Sequence, residues 1–519
     1  MANFARYNEH KRLSERRFIF DIDKLLDLAA ASISGLRKDV IGFDKVAEGG
    51  SYRVFEISFK DGQHIIARLP YPCTIPHTYG VASEVATIEY LRCHGVPAPE
   101  VLSWSNSAAN CLNSEYIIME KAHGKELEET WYTMGPVERK LIMEKVVDIE
   151  SLLFKIKLPA NGSLYFTHSL PAGIKTVVIP DNNAFCVGPS AEFLWWYLGR
   201  DKLEVGRGPW TSSTDVLNAV GFRELEWLRK YGKPRYPREP LYKEFYGNKK
   251  VNPDAQLRSL QDYLTLAPFI VPDEEYLNQP TIRHPDLSPS NIFVNDSGDI
   301  SSIIDWEHTS ILPLFLQAKI PHHFQNYGDD VSESLAKPML PQHFASLSEA
   351  EKELELEIYR RRQIHYYYLG FTSCKNEPHF RAMGSNSGIA RNRLYDVAGR
   401  PWEGDNTTLK ATLINTSSYW PAIASAHMKG TGYPLVYSEK EIEECLDIDL
   451  KQRKANTQMQ NLRDSFGVSI DGWTPNDTYA EAVEKMENMK AYMLNLAETE
   501  EDKQDFLENW PFQDHEEID

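Results

Sequence analysis

The stretch from Arg283 to His308, RHPDLSPSNIFVNDSGDISSIIDWEH, holds the side chains of this chain best suited to chemistry. Asn291-Ile-Phe-Val reads as a short strand, Asn295 to Asp299 as a turn cluster, and Ile300 to Ile304 as the returning strand. Asn291 and Asp305 each stand seven residues from Gly298. An antiparallel hairpin folded at that turn brings its open ends together. An amide oxygen and a carboxylate then meet at one point, with Asp286 on the loop just before them. Hard oxygen ligands of this kind suit Mg²⁺, which keeps its remaining positions for phosphate oxygens and water. A carboxylate beside them can orient a hydroxyl or accept its proton. The chemistry implied is phosphoryl transfer, in which positioning and charge neutralisation do nearly everything.

The pattern His284-x-Asp286-x-x-x-x-Asn291, with Asp305 following, resembles the catalytic loop and metal-binding segment of the protein-kinase-like superfamily. It is most similar to the aminoglycoside phosphotransferase and choline kinase branch. Asp305 is followed by Trp306-Glu307 where protein kinases have Phe-Gly, and neither Ala-Pro-Glu nor a Ser/Thr-rich activation loop follows. The resemblance implies an ATP- and Mg²⁺-dependent kinase of small-molecule hydroxyls. In it Asp286 acts on the hydroxyl, Asn291 and Asp305 hold the metal, and His284 orients the loop. The alternative is a nucleotide-binding scaffold, weak or inactive in catalysis, that serves mitochondrial maintenance.

These residues need a nucleotide-holding lobe, and the N-terminal part supplies its elements. Phe43 to Val46, Arg53 to Phe59 and Gln63 to Leu69 read as strands, the last two joined by an Asp61-Gly62 turn. VASEVATIEYLRCHG carries Val81, Val85, Ile88 and Leu91 at helical spacing, and Ser114 to Ala122 reads as a further strand. Gly49-Gly50-Ser51 lies between two strands, where glycine lets backbone N–H groups approach a phosphate or simply closes a tight turn. No Gly-x-x-x-x-Gly-Lys-Ser/Thr occurs, which disfavours a P-loop enzyme. The resemblance places Arg68 of IIARLP where the superfamily normally has a phosphate-binding lysine. Glu84 sits on the apolar stripe of its helix, where a carboxylate is costly unless paired, and Arg68 is its natural partner. Met119-Glu120 matches the hinge between lobes, whose backbone usually binds adenine.

Longer pieces resemble one fungal group, the altered inheritance of mitochondria protein 9 family. They are Val46-Ala-Glu-Gly-Gly50, IIARLPYP, SEVATIEYLR, EYIIMEKAHG, GSLYF, GPSAEFLWW, RGPW and HPDLSPSNIFV. This resemblance implies a mitochondrial association, with the cytosol as the alternative, and no known acceptor. The basic start, MANFARYNEHKRLSERRF, also carries Glu9 and Glu15 and is a weak presequence.

From Gly135 onward three-to-four spacing predicts a mainly helical region, including Glu349 to Leu369, Thr408 to His427, Lys440 to Ser465 and Tyr479 to Ala497. Residues 161–210, rich in Gly, Pro and aromatics, read as irregular. The expected fold is thus α+β and two-lobed, with a small antiparallel sheet carrying one helix ahead of a large helical lobe. Its divisions are an N-terminal extension at 1–39, a nucleotide-binding lobe at 40–122, a helical lobe at 123–497 with the catalytic segment at 284–305, and an acidic tail at 498–519. The 519 residues carry a net charge of −19, which disfavours nucleic acid as a partner. The tail contributes ten acidic residues against one lysine, and Trp510 and Phe512 could dock it. Six scattered cysteines without a Cys-x-x-Cys pair read as free thiols, and no apolar run approaches the roughly 18 residues of a membrane span.

Overall fold

Alternating apolar residues build the N-terminal sheet. The computed structural model describes residues 2–3, 9–384, 386–468, 473–474 and 478–512. Strands β1 (Val40–Glu48), β2 (Tyr52–Phe59), β3 (His64–Pro70), β4 (Val101–Ser105) and β5 (Tyr116–Glu120) form one antiparallel sheet in the order β1-β2-β3-β5-β4. The β2–β3 turn is the expected one, with Gly62 at φ +88°. Phe55, Ile57 and Phe59 of β2 and Ile65, Ala67 and Leu69 of β3 point to one face. There they pack against Leu25, Leu26, Ala29 and Ala30 of helix α1 (Ile22–Ser32), so the N-terminal extension closes the outer face of the sheet. Asp21 caps that helix by accepting from the Lys24 N–H. Tyr52, Val54, Glu56, Ile66 and Arg68 look the other way, into a cleft.

Helix α2 (Tyr79–Cys93) buries Val81, Val85, Ile88 and Leu91 as the spacing requires. It is buried on nearly every side because it lies between the sheet and the segment Ser163–Phe166. That segment corrects the reading of residues 161–210 as irregular. Ser163–Phe166, Phe185–Gly188 and Val177–Val178 form a three-stranded antiparallel sheet. Its strands are two to four residues long, too short for alternation to show in a sequence. β4 escaped notice for a related reason, since all five of its residues are half-buried and no face stands out.

The remainder is helical. Glu349–Lys375, Thr408–Ile423, Glu439–Phe466 and Tyr479–Leu496 stand where periodicity placed them, and Pro136–Lys155, Ser213–Tyr231 and Asp254–Leu266 are further helices of the same region. Pro136–Lys155 lies against Glu349–Lys375 in a core that also takes in α2 and the hairpin residues Ile292 and Ile303. A second core surrounds Trp227, Tyr263 and Leu413. The architecture is the α+β one expected, a small antiparallel sheet ahead of a large, mainly helical region. In the acidic tail Glu500–Glu508 is a helix, Trp510 is buried and Phe512 packs on Phe466. Its residues 513–519, like Arg6 of the basic start, lie outside the described residues. All six cysteines are free thiols, and no helix among the described residues is long and apolar enough to cross a membrane.

Candidate active site

The hairpin folds as its sequence requires, with one offset. Ile292 pairs with Ile303 and Phe293 with Ser302, but Val294 pairs with Ile300 across a bulge. The extra residue shifts the register, so the Ile304 N–H donates to the Asn291 carbonyl at 3.0 Å and Asp305 stands one residue beyond. Asp305 adopts φ +67°, a left-handed conformation that a non-glycine residue adopts at a cost and that clusters at functional sites. The Asn291 amide nitrogen donates to the Asp286 carbonyl at 2.9 Å and to its carboxylate at 3.3 Å. Both bonds use the amide nitrogen, and neither uses its oxygen. His284 is buried; its Nε2 donates to the Ile304 carbonyl at 2.8 Å and its Nδ1 accepts from the Asp286 N–H at 3.1 Å. Burial lowers its pKa, and a neutral ring with one donor and one acceptor fits both bonds. It joins the loop to the hairpin.

Behind His284, Arg283 anchors the loop to the helices. Its Nε donates to Glu150 at 3.0 Å and its Nη1 to the Gln317 carbonyl at 2.8 Å. Its Nη2 reaches the Tyr368 hydroxyl at 3.2 Å, and that hydroxyl donates to the other Glu150 oxygen at 2.5 Å. All three side chains are buried.

The sheet brings the opposite wall. The Arg68 guanidinium donates to Glu84 and, at 3.1 Å, to Asp305. Its carbon lies 4.2 Å from the centre of the Tyr52 ring, whose hydroxyl donates to the second Glu84 oxygen at 2.9 Å. Burial alone depresses the Arg68 pKa, but Glu84 and Asp305 outweigh it and the group stays firmly charged. Burial pushes the Glu84 carboxyl up, with Arg68 opposing. The Ser51 hydroxyl donates to Glu307 at 3.1 Å. The second Glu307 oxygen is buried without a partner, and burial together with Asp305 pushes this carboxyl up to about 7.

Gly49, Gly50, Ser51, Arg68, Met119, Glu120, Asn291 and Asp305 line one cleft of about 500 Å³, with Val54, Ile66 and Ile88 giving it an apolar wall. Neither Gly49 nor Gly50 has a positive φ, and a Cβ on either would meet nothing closer than 4.0 Å. The chain's own packing therefore does not require glycine at either place. Glu84 and His284 stand behind the wall, and Asp286 lies exposed at its edge, joined through Asn291. Tyr52 and Glu307 escaped the sequence reading. Alternation along β2 and β3 puts Tyr52 on the face of Arg68, opposite to Ala67 and Leu69, and Glu307 follows Asp305 by two residues.

Comparison with known proteins adds a family. No family model matches the chain. A subtelomeric hrmA-associated cluster protein of Aspergillus fumigatus is 31% identical over 505 residues, covering 91% of this chain and 96% of its own. The chain belongs to this fungal family. The likeness extends to altered inheritance of mitochondria protein 9 of Kluyveromyces lactis, named as mitochondrial, at 23% identity with 86% of this chain and 75% of that one covered. The relatives of this chain thus include the group named by sequence resemblance. Among solved structures, an aminoglycoside phosphotransferase bound to AMP-PNP and hygromycin B is 14% identical, with a TM-score of 0.33, 72% of this chain and 93% of that one covered.

Proposed function

We propose that this protein is a phosphotransferase that moves the γ-phosphate of ATP, with Mg²⁺, to a hydroxyl of a small molecule. The observation that carries this reading is the convergence, beneath a Gly-Gly-Ser turn, of a half-buried charged arginine and two oxygen ligands, Asn291 and Asp305, beside the exposed carboxylate of Asp286. The site fits the groups it is asked to hold. Asn291 and Asp305 offer the few hard oxygens that Mg²⁺ takes from a protein, and the bound ion supplies charge neutralisation at the phosphates. Gly50 and Ser51 offer backbone N–H groups to the phosphates, Gly49 closes the turn that covers them, and Arg68, fixed by Glu84, faces their charge. The backbone at Met119 and Glu120 holds the adenine against the apolar wall. Asp286 orients the acceptor hydroxyl and receives its proton, while neutral His284 holds the loop in place. The relatives' name supports a mitochondrial setting.

One observation favours the second reading, a nucleotide-binding scaffold. Arg68 is committed to Glu84 and Asp305, and its planar fork differs in reach and shape from a lysine's ammonium. Thermal unfolding with and without ATP and Mg²⁺ tests the nucleotide site. Ligand at 100 times its Kd stabilises by about 2.7 kcal/mol. The rise is expected in wild type and in Asp286→Asn, and is expected to vanish in Asp305→Ala. No rise in well-folded protein removes the proposal, and a phenotype unchanged by Asp286→Asn favours the scaffold.

A further inference from the structure

We infer that Tyr52 is a positioning residue for the nucleotide's phosphates, acting through Arg68; the inference rests on the nucleotide reading above. The strand register makes the contact. Val54 pairs with Arg68 across β2 and β3, so Tyr52, two residues along on the same face, is its diagonal neighbour. Tyr52 is only 5% exposed, its ring lies 4.2 Å from the guanidinium carbon, and its hydroxyl fixes the second oxygen of Glu84. Arg68 is thus held in its plane by Glu84 and Asp305 and across its face by an aromatic ring. A phosphate that draws on Arg68 competes for the edge facing Asp305. The ring and Glu84 hold the guanidinium in place while that edge changes partner. A planar guanidinium stacks on a ring in a way that a compact, strongly hydrated ammonium does not. Tyr52 also carries the turn above, because its carbonyl accepts from the Gly49 N–H at 3.1 Å. One residue therefore sets both the arginine and the glycine turn on the same side of the cleft.

Calorimetric titration of the full chain with ATP and Mg²⁺ tests this. Tyr52→Phe keeps the ring and loses the bond to Glu84, and is expected to weaken binding by about threefold. Tyr52→Leu loses both and is expected to weaken it by about tenfold, as is Arg68→Lys. In the Tyr52→Leu background, Arg68→Lys is expected to cost less than about twofold more, because the partner it would abandon is already gone. Should Tyr52→Leu fail to fold, Tyr52→Met, apolar and without a ring, takes its place. Tyr52→Leu binding within twofold of wild type, or losses that simply multiply, overturns the inference while leaving the nucleotide site standing. Absence of binding by the wild-type protein overturns the nucleotide reading and takes this inference with it.

Discussion

Tyr368→Phe removes one hydroxyl from a site where three polar side chains are sealed from water. The hydroxyl donates to Glu150 at 2.5 Å and accepts from Arg283 at 3.2 Å. Its loss leaves one carboxylate oxygen without that donor and one guanidinium N–H without that acceptor. The two charges still meet each other at 2.9 Å, so the pair itself survives. Hydrogen bonds to charged groups contribute about 1.5–3 kcal/mol, and the expected loss is about 2–3 kcal/mol. Glu150→Gln strands the guanidinium as a buried charge and is expected to cost more, about 3–5 kcal/mol. Replacing both charges, Glu150→Leu with Arg283→Met, is expected to cost less than Glu150→Gln alone, because no charge is then left unpaired. Urea unfolding followed by tryptophan fluorescence gives these values, provided the slope with denaturant stays constant. A Tyr368→Phe loss below about 0.5 kcal/mol, or a double variant weaker than Glu150→Gln, refutes the view that this network holds the loop by charge pairing.

Three further perturbations follow from single positions. Gly124 has φ +96°, and a Cβ there would sit 2.2 Å from the Val294 carbonyl oxygen. Gly124→Ala is therefore expected to lose about 2–4 kcal/mol in the same unfolding assay. Gly50→Ala meets no atom of the chain and should unfold within about 0.5 kcal/mol of wild type, while ATP affinity by calorimetry falls about tenfold. Burial raises the Glu115 carboxyl from 4.5 to about 7 although it accepts from the Thr78 N–H at 2.6 Å. The folded state then binds the extra proton, so wild type loses stability relative to Glu115→Gln as pH rises from about 4.5 through 7. Unfolding midpoints of the two proteins across pH 5–8 check the sign, and a wild type that gains stability relative to Glu115→Gln as pH rises contradicts it.

Much of this was legible in the chain. Arg53 to Phe59 and Gln63 to Leu69 are readable as strands, and one stray carboxylate on an apolar stripe points to Arg68 as the partner of Glu84. Periodicity found the long helices because they bury one stripe along several turns. The misses share a cause. Val101–Ser105 and Ser163–Phe166 are short and uniformly half-buried or buried, so neither shows the contrast that marks a strand. The turn centres on Ser297, where Asn295 bonds to Asp299, and the bulge restores only one of the two residues this costs, which is why Asn291 pairs with Ile304 and not with Asp305. Tyr52 was overlooked because an aromatic residue opening a strand looks like ordinary core. Its hydroxyl acquires meaning only once Glu84 is known to lie beneath it.

The bond between Arg68 and Asp305 has a consequence for how the cleft responds to ionic strength. The two groups already serve as each other's counterions, so a polyanion with its metal entering between them exchanges one ion pair for another and forms few new ones. Added salt screens the internal pair as well as its replacement. Affinity for nucleotide should accordingly fall less steeply with salt than four phosphate charges facing an open arginine would lead one to expect. The same contact ties the sheet to the hairpin across the cleft, and it holds the Asp305 carboxylate in place while leaving it 38% exposed.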